Sequence, residues 1–284
     1  MSSHPAAALQ DDRIPLHPFP EGWYCLGFRW EFARPQVGTW LGRQLEVAWP
    51  RGGDATVRAL DGGPAPDLRV QQDAVFAWHS PMGEPPRFHL PQTTTDGWTG
   101  YAGHTWHNLA THPQETSENS VDLAHFRVVH NYSDVEVIQP AEVDGAHLRA
   151  RYAFVRPMTF AGVRWFRAEV EFELTVAGLG YSLVDAHVIT LGVRTRQMVY
   201  ATPRAAGRCD LRIALACPHA AGPLAAAAAR LARDVAMPTY IHDVSQDLTI
   251  WQTKRHLLKP RVVAGDGPIG RYRAWCQQFY PAAA

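Results

Sequence analysis

At 284 residues, with 27 basic and 27 acidic side chains, the chain can bury one large or two smaller cores and carries no formal net charge. That balance argues against a nucleic-acid footprint or a polybasic membrane patch, and no apolar run approaches the roughly 20 residues that span a bilayer. The first dozen residues lack the basic-then-apolar order of a secretory signal. The four cysteines, Cys25, Cys209, Cys217 and Cys276, form no CxxC pair, so reduced thiols in a cytoplasmic protein are the simplest reading.

In chain order, residues 1–20 are polar and Pro-containing and predict an extended lead. Trp23–Phe28 and the alternating run Gly38–Trp49 read as strands joined by tight turns, followed by Thr56–Leu60 and Ala74–Trp78. Asp61–Asp67 is a breaker, and the Pro-rich segment Pro81–Pro91 is a plausible domain boundary. Six β-like runs follow: Val135–Ile138, Leu148–Phe154, Trp165–Thr175, Tyr181–Leu191, Gln197–Thr202 and Cys209–Ala216. They predict a long-stranded antiparallel sheet with a turn at Gly178–Gly180. The alanine-rich run Pro223–Ala236 predicts one helix and Thr239–Leu258 a second, divided by Pro238 and stopped by Pro260.

The chemistry concentrates between His112 and His130, whose centre reads Glu118-Asn119-x-x-Asp122-x-x-His125-x4-His130. A helix is expected from about Ser117, with Ser117 or Thr116 as N-cap and Glu118 in the first turn. Asp122 and His125, three apart, share a face of such a helix. His125 and His130, five apart, fall roughly 140° apart at 3.6 residues per turn. Both can reach one metal only if the helix ends, bulges or bends between them. His104, Trp106, His107 and His112 read as packing and solvent-contact residues, and Cys209 and Cys217 as core filling. No G-x-S-x-G elbow, P-loop or dinucleotide fingerprint is present.

Glu118–His130 resembles the iron-binding motif of Rieske non-haem iron oxygenase α subunits, in the branch of 3-ketosteroid 9α-hydroxylase oxygenase components and cholesterol 7-desaturases. Further pieces agree in order. Pro20-Glu-Gly-Trp-Tyr24 resembles the family's first strand, and Phe76–Pro86 the end of its Rieske domain. Gln246-Asp247-Leu-Thr-Ile-Trp251-x-x-Lys254 resembles the helix carrying the third iron ligand, and Asp266–Ile269 with Arg273-x-Trp275-x-x-Gln278-Phe279-Tyr280 its C-terminal signature. The resemblance covers nearly the whole chain. It implies an α+β protein: a truncated Rieske-like β domain (1–92) followed by a helix-grip, Bet v 1/START-like antiparallel-sheet catalytic domain (93–284). It also implies a mononuclear Fe(2+) held by His125, His130 and Asp247, a facial triad with positions open for O2 and substrate.

The departure lies in the β domain. A Rieske [2Fe–2S] cluster takes two Cys and two His, which the family arranges as Cys-x-His and Cys-x-x-His. Neither pattern occurs before residue 100, where Cys25 is the only cysteine. The expectation is therefore no [2Fe–2S] cluster in this chain. Asp122 matches the carboxylate that, in complete members, links an iron-ligating His to a cluster-ligating His of the neighbouring subunit; its plainer reading is a buttress for His125. The resemblance implies an oxygenase-type subunit acting on a hydrophobic, steroid-like substrate. Its electrons would come from a cluster-bearing α-type partner in a trimer-based hetero-oligomer, with ferredoxin and reductase behind it. A non-catalytic structural subunit and a cluster-independent iron enzyme are the alternatives.

Overall fold

The computed structural model describes residues 12–160 and 163–281. The expected extended lead falls within it only from residue 12, where the chain runs without regular structure to Glu21. Six strands come first: β1 (Gly22–Phe28), β2 (Gln36–Trp40), β3 (Arg43–Ala48), β4 (Thr56–Ala59), β5 (Leu68–Gln71) and β6 (Ala74–His79). They form two three-stranded sheets, ordered β1-β6-β5 and β2-β3-β4.

All seven residues of β1 are buried, because the strand is covered on both faces. Tyr24 and Leu26 enter a cluster with Leu45 and Val47 of β3, while Trp23 and Cys25 enter the central core with Phe76, Tyr181 and Tyr200. A bulge between Cys25 and Gly27 resets the alternation, so Phe28 returns to the central core. β6 divides the same way, Val75 and Ala77 to one side and Ala74, Phe76 and Trp78 to the other. Both stretches therefore read as apolar runs without a polar face.

After an irregular crossing come β7 (Ala102–Leu109), two short helices, α1 (Pro113–Glu118) and α2 (Leu123–Val128), and then the six strands β8 (Ser133–Asp144), β9 (His147–Phe160), β10 (Val163–Ala177), β11 (Tyr181–Val188), β12 (Val193–Ala205) and β13 (Arg208–Ala216). These strands form one antiparallel seven-stranded sheet, β7-β13-β12-β11-β10-β9-β8. The Gly178–Gly180 turn seats β1 directly. Gly178 has φ +59°, and a Cβ on Gly180 would lie 2.7 Å from the Trp23 carbonyl oxygen. One expectation needs correction here, and two strands had no counterpart among the expected elements. The run Tyr181–Leu191 is strand only to Val188 and ends in a single 3-10 turn. β5 and β7 carry too many polar residues to stand out by alternation, and pairing with β6 and β13 makes them strands.

The two helices expected on either side of Pro238 are one, α3 (Pro223–Thr253), with Pro238 inside it. Proline removes one backbone donor and crowds the preceding turn, but tertiary packing carries the helix through. From Met237 onward, Met237, Tyr240, Val244, Asp247 and Trp251 form a buried stripe at helical spacing. Its apolar members pack on Leu211, Ile213 and Leu215 of β13. The sheet thus grips this half of α3, while most of the alanine-rich half before it faces solvent. The helix stops at Thr253, five residues before the expected Leu258. A last helix, α4 (Ile269–Cys276), brings Tyr272, Trp275 and Cys276 into the central core.

Candidate metal centre

The helix expected from Ser117 is two helices. α1 begins earlier because His112 caps it: its Nδ1 accepts the Gln114 N–H (3.1 Å), and Pro113 occupies the first turn, where its missing N–H costs nothing. Every residue of α1 is buried although most are polar, and the packing supplies partners. Thr116 Oγ1 donates to the Pro113 carbonyl, and Ser117 Oγ to the Leu179 carbonyl at 2.9 Å. Burial pushes the His112 pKa down to about 4, which keeps the capping nitrogen an acceptor at neutral pH. His112 is therefore a structural cap out of solvent contact.

Asp122 starts α2. Its Oδ1 accepts the His125 backbone N–H at 3.0 Å, an N-cap in the usual geometry. α2 ends at Val128, Asn131 adopts a left-handed φ of 56°, and the Tyr132 N–H returns to the Phe126 carbonyl at 2.9 Å. The helix thus ends between the histidines, as their spacing requires, and the reversal brings His130 back beside His125. Asp247 arrives from the buried stripe of α3.

Three donor atoms converge. His125 Nε2 lies 3.0 Å from His130 Nε2 and 3.0 Å from Asp247 Oδ1, and His130 Nε2 lies 3.7 Å from the same oxygen. The two ring nitrogens are within hydrogen-bond reach of each other, but Asp247 Oδ1 is buried and makes no hydrogen bond despite its closeness to both. Donors about 2.1 Å from a metal and at right angles to one another stand about 3 Å apart. The triangle has that size, and an orphaned carboxylate oxygen beside two facing imidazole nitrogens is what a cation would satisfy. The residues fit a mononuclear metal. Burial lowers the His130 pKa, although Asp247 opposes the shift, which favours the neutral, ligating imidazole. Gln246 Oε1 sits 3.1 Å from His130 Nδ1. It accepts that N–H and leaves the Nε2 lone pair facing the centre.

The centre opens into a cavity of about 140 Å3 between α3 and the seven-stranded sheet. A single water needs only roughly 10–15 Å3, so this space is sized for an organic molecule. Phe126, Tyr152, Phe172, Val184 and Val199 supply apolar wall, and Arg156 with Asp243 the main charged feature away from the metal ligands.

A family model described as the 3-ketosteroid 9alpha-hydroxylase C-terminal domain matches residues 77–280. The chain belongs to this family. The resemblance read from the ordered motifs is correct. Among the relatives of the chain is the oxygenase component of 3-ketosteroid-9-alpha-monooxygenase from Rhodococcus rhodochrous. It is 26% identical over 219 residues, covering 72% of this chain and 55% of that one. Cholesterol 7-desaturase from Caenorhabditis elegans is 26% identical over 236 residues, covering 72% and 52%. The chain spans about half the length of these curated relatives. In fold it is similar to dicamba monooxygenase bound to 3,6-dichlorosalicylic acid, with TM-score 0.67, 10% identity, and 91% and 96% of the two chains covered. It is also similar to the oxygenase of carbazole 1,9a-dioxygenase in its reduced complex with ferredoxin, with TM-score 0.54, 12% identity, and 82% and 80% covered. The α+β assignment, with its antiparallel sheet gripping a helix, agrees with these folds.

Within this family chain, the structure brings His125, His130 and Asp247 together and places Asp122 behind His125, on its backbone rather than at the centre. Asp122 borders a separate cleft with Glu118, Lys254 and Arg273. Sequence reasoning gave no role to Gln246, Arg156 or Asp243. Gln246 and Asp243 had a signal, one residue before and one turn before Asp247. Arg156 had none, because strand alternation alone does not say which face meets the cavity. Cys25 is the only cysteine before Cys209. It lies in the central core, where burial pushes its thiol up to about 12.

Proposed function

We propose that this chain is the mononuclear-iron subunit of a Rieske-type oxygenase, with His125, His130 and Asp247 as ligands to Fe(2+). The observation that carries this reading is the 3.0, 3.0 and 3.7 Å triangle closed by an orphaned carboxylate oxygen. Iron bound there supplies O2 activation, since a facial triad leaves the other coordination positions open. The chain's own residues do the rest. Gln246 fixes the tautomer of His130, Asp122 fixes the backbone that carries His125, and the aromatic walls exclude water and hold an apolar substrate against the centre. Residues 1–92 are a Rieske-like scaffold without a cluster and 93–284 the catalytic domain. Electrons come from a cluster-bearing α-type partner, fed by ferredoxin and reductase, and the substrate is a hydrophobic, steroid-like molecule.

The test is turnover of the iron-loaded chain with and without a cluster-bearing partner under reducing conditions. Product forms only with the partner present. Full turnover by the isolated chain would remove the need for an external cluster. The missing cluster donors also favour a second reading, a structural subunit that stabilises a complete relative. On that reading His125→Ala leaves the activity of the complex unchanged.

A further inference from the structure

Gln246 is bonded at both ends of its amide. Its Oε1 stands 3.1 Å from His130 Nδ1, and its Nε2 stands 3.2 Å from Nε2 of His242, one turn earlier on α3. His242 is exposed, Gln246 is half-buried, and the His130 side chain is only 11% exposed. The three side chains therefore form a file from solvent to the metal position. Asp243, the carboxylate next to His242, is paired with Arg156 at 2.6 Å and not with the amide.

An amide has one accepting end and one donating end, so its two contacts are set together. A metal on His130 Nε2 leaves the ring proton on Nδ1. Gln246 then accepts from Nδ1 through Oε1, and its NH2 group is turned to His242. His242 completes the file only by offering a lone pair at Nε2, with its own proton on Nδ1. The opposite polarity starts with His242 Nε2–H donating to the amide oxygen. The NH2 group then donates to His130 Nδ1, and the His130 proton falls on Nε2, where a metal has to bind. The structure holds the first polarity, with Oε1 toward His130. Water in place of His242 accepts or donates equally well and fixes neither. We infer that His242 is a positioning residue for the metal centre: through Gln246, its Nε2 lone pair holds the amide in the orientation that leaves His130 Nε2 free for a metal. This rests on the triad of the proposed function being a metal site, and on nothing about substrate or electron supply.

The test uses the full-length chain with zinc, a redox-silent ion that takes the same donor types, at about pH 8, where an exposed imidazole is neutral. Imidazole-nitrogen NMR of the zinc-loaded wild type shows His242 in the Nδ1–H form. In Gln246→Leu it reverts to the Nε2–H form that free imidazoles favour. Competition with a chelator gives a second readout. His242→Lys, which can only donate, weakens zinc binding by about 10–100-fold, as expected on losing a group that orients a ligand. His242→Glu, which can only accept, does not weaken it. In the Gln246→Leu background the difference between Lys and Glu at this position shrinks to a few-fold, since only the screened field of an exposed charge is left. An Nε2–H His242 in the zinc-loaded wild type, or a Lys-to-Glu difference of the same size in both backgrounds, overturns the inference. The wild-type spectrum needs no variant to fold. A wild-type chain that takes up no zinc overturns the metal site itself and this inference with it, so the two failures are told apart.

Discussion

Gln246 decides which nitrogen of His130 faces the centre. Its Oε1 accepts from Nδ1, so its removal leaves the tautomer and the ring orientation unfixed. Gln246→Ala is expected to weaken iron affinity by about 10–100-fold while leaving the fold intact, measured by competition with a chelator of known affinity. His112 carries a second expectation at the same scale. Burial lowers its pKa from 6.5 to about 4, so between these values the unfolded chain binds the proton that the folded chain refuses. The stability that depends on a neutral His112 is complete above about pH 6.5 and falls as pH drops through that window toward 4. His79 is depressed by burial in the same way. His112→Asn keeps an acceptor for the α1 cap and removes one titrating group, so the slope of unfolding free energy against pH should flatten by about one proton between pH 6.5 and 4. An unchanged slope in denaturant titrations would show that His112 is already protonated in the fold.

Among the elements, α1 is the one that ties the centre together, and it was the least legible. Its residues are polar, so nothing in hydrophobic periodicity marks them as buried. They are stable inside because their partners come from far along the chain. Lys254 Nζ lies 2.8 Å from both Glu115 Oε2 and Glu118 Oε1, Arg273 pairs with Glu118 at 2.6 Å, and His256 contacts Glu115. These contacts fasten the end of α3, and with it Asp247, to the segment that carries the histidines. Lys254→Met leaves two buried carboxylates with fewer partners and should cost about 3–5 kcal/mol, read from denaturant midpoints. Burial alone would raise the Glu115 pKa, but His256 and Lys254 outweigh it and bring it from 4.5 down to about 2. The contribution of the ionised Glu115 is therefore complete above about pH 4.5 and is lost as pH falls toward 2. By contrast, the second half of α3 was legible as a helix, and Asp247 was picked out by the resemblance of its surrounding motif, while the buried stripe that carries it emerges only from the packing. Pro238 misled because a local rule for helix ends was overridden by packing on β13. β5 and β7 were missed because strand identity there comes from a neighbour and not from alternation.

At the scale of the whole molecule, the long sheet and the order of the motifs were both readable, and the family match bears them out. What no local pattern conveyed is that β1 and β6 are shared between two cores, which makes the first two sheets part of the platform behind the cavity. Cys25 serves that platform by packing in the central core. The proposed function rests on one metal centre in this chain with electrons supplied from outside it. Its most direct test is anaerobic reconstitution with ferrous iron, followed by metal and acid-labile sulfide analysis of the wild-type chain and of folded Asp247→Ala. About one iron per wild-type chain, no sulfide, and loss of the iron in Asp247→Ala is the predicted result. Failure of the wild-type chain to retain iron, or equal iron in the Asp247→Ala variant, would contradict it.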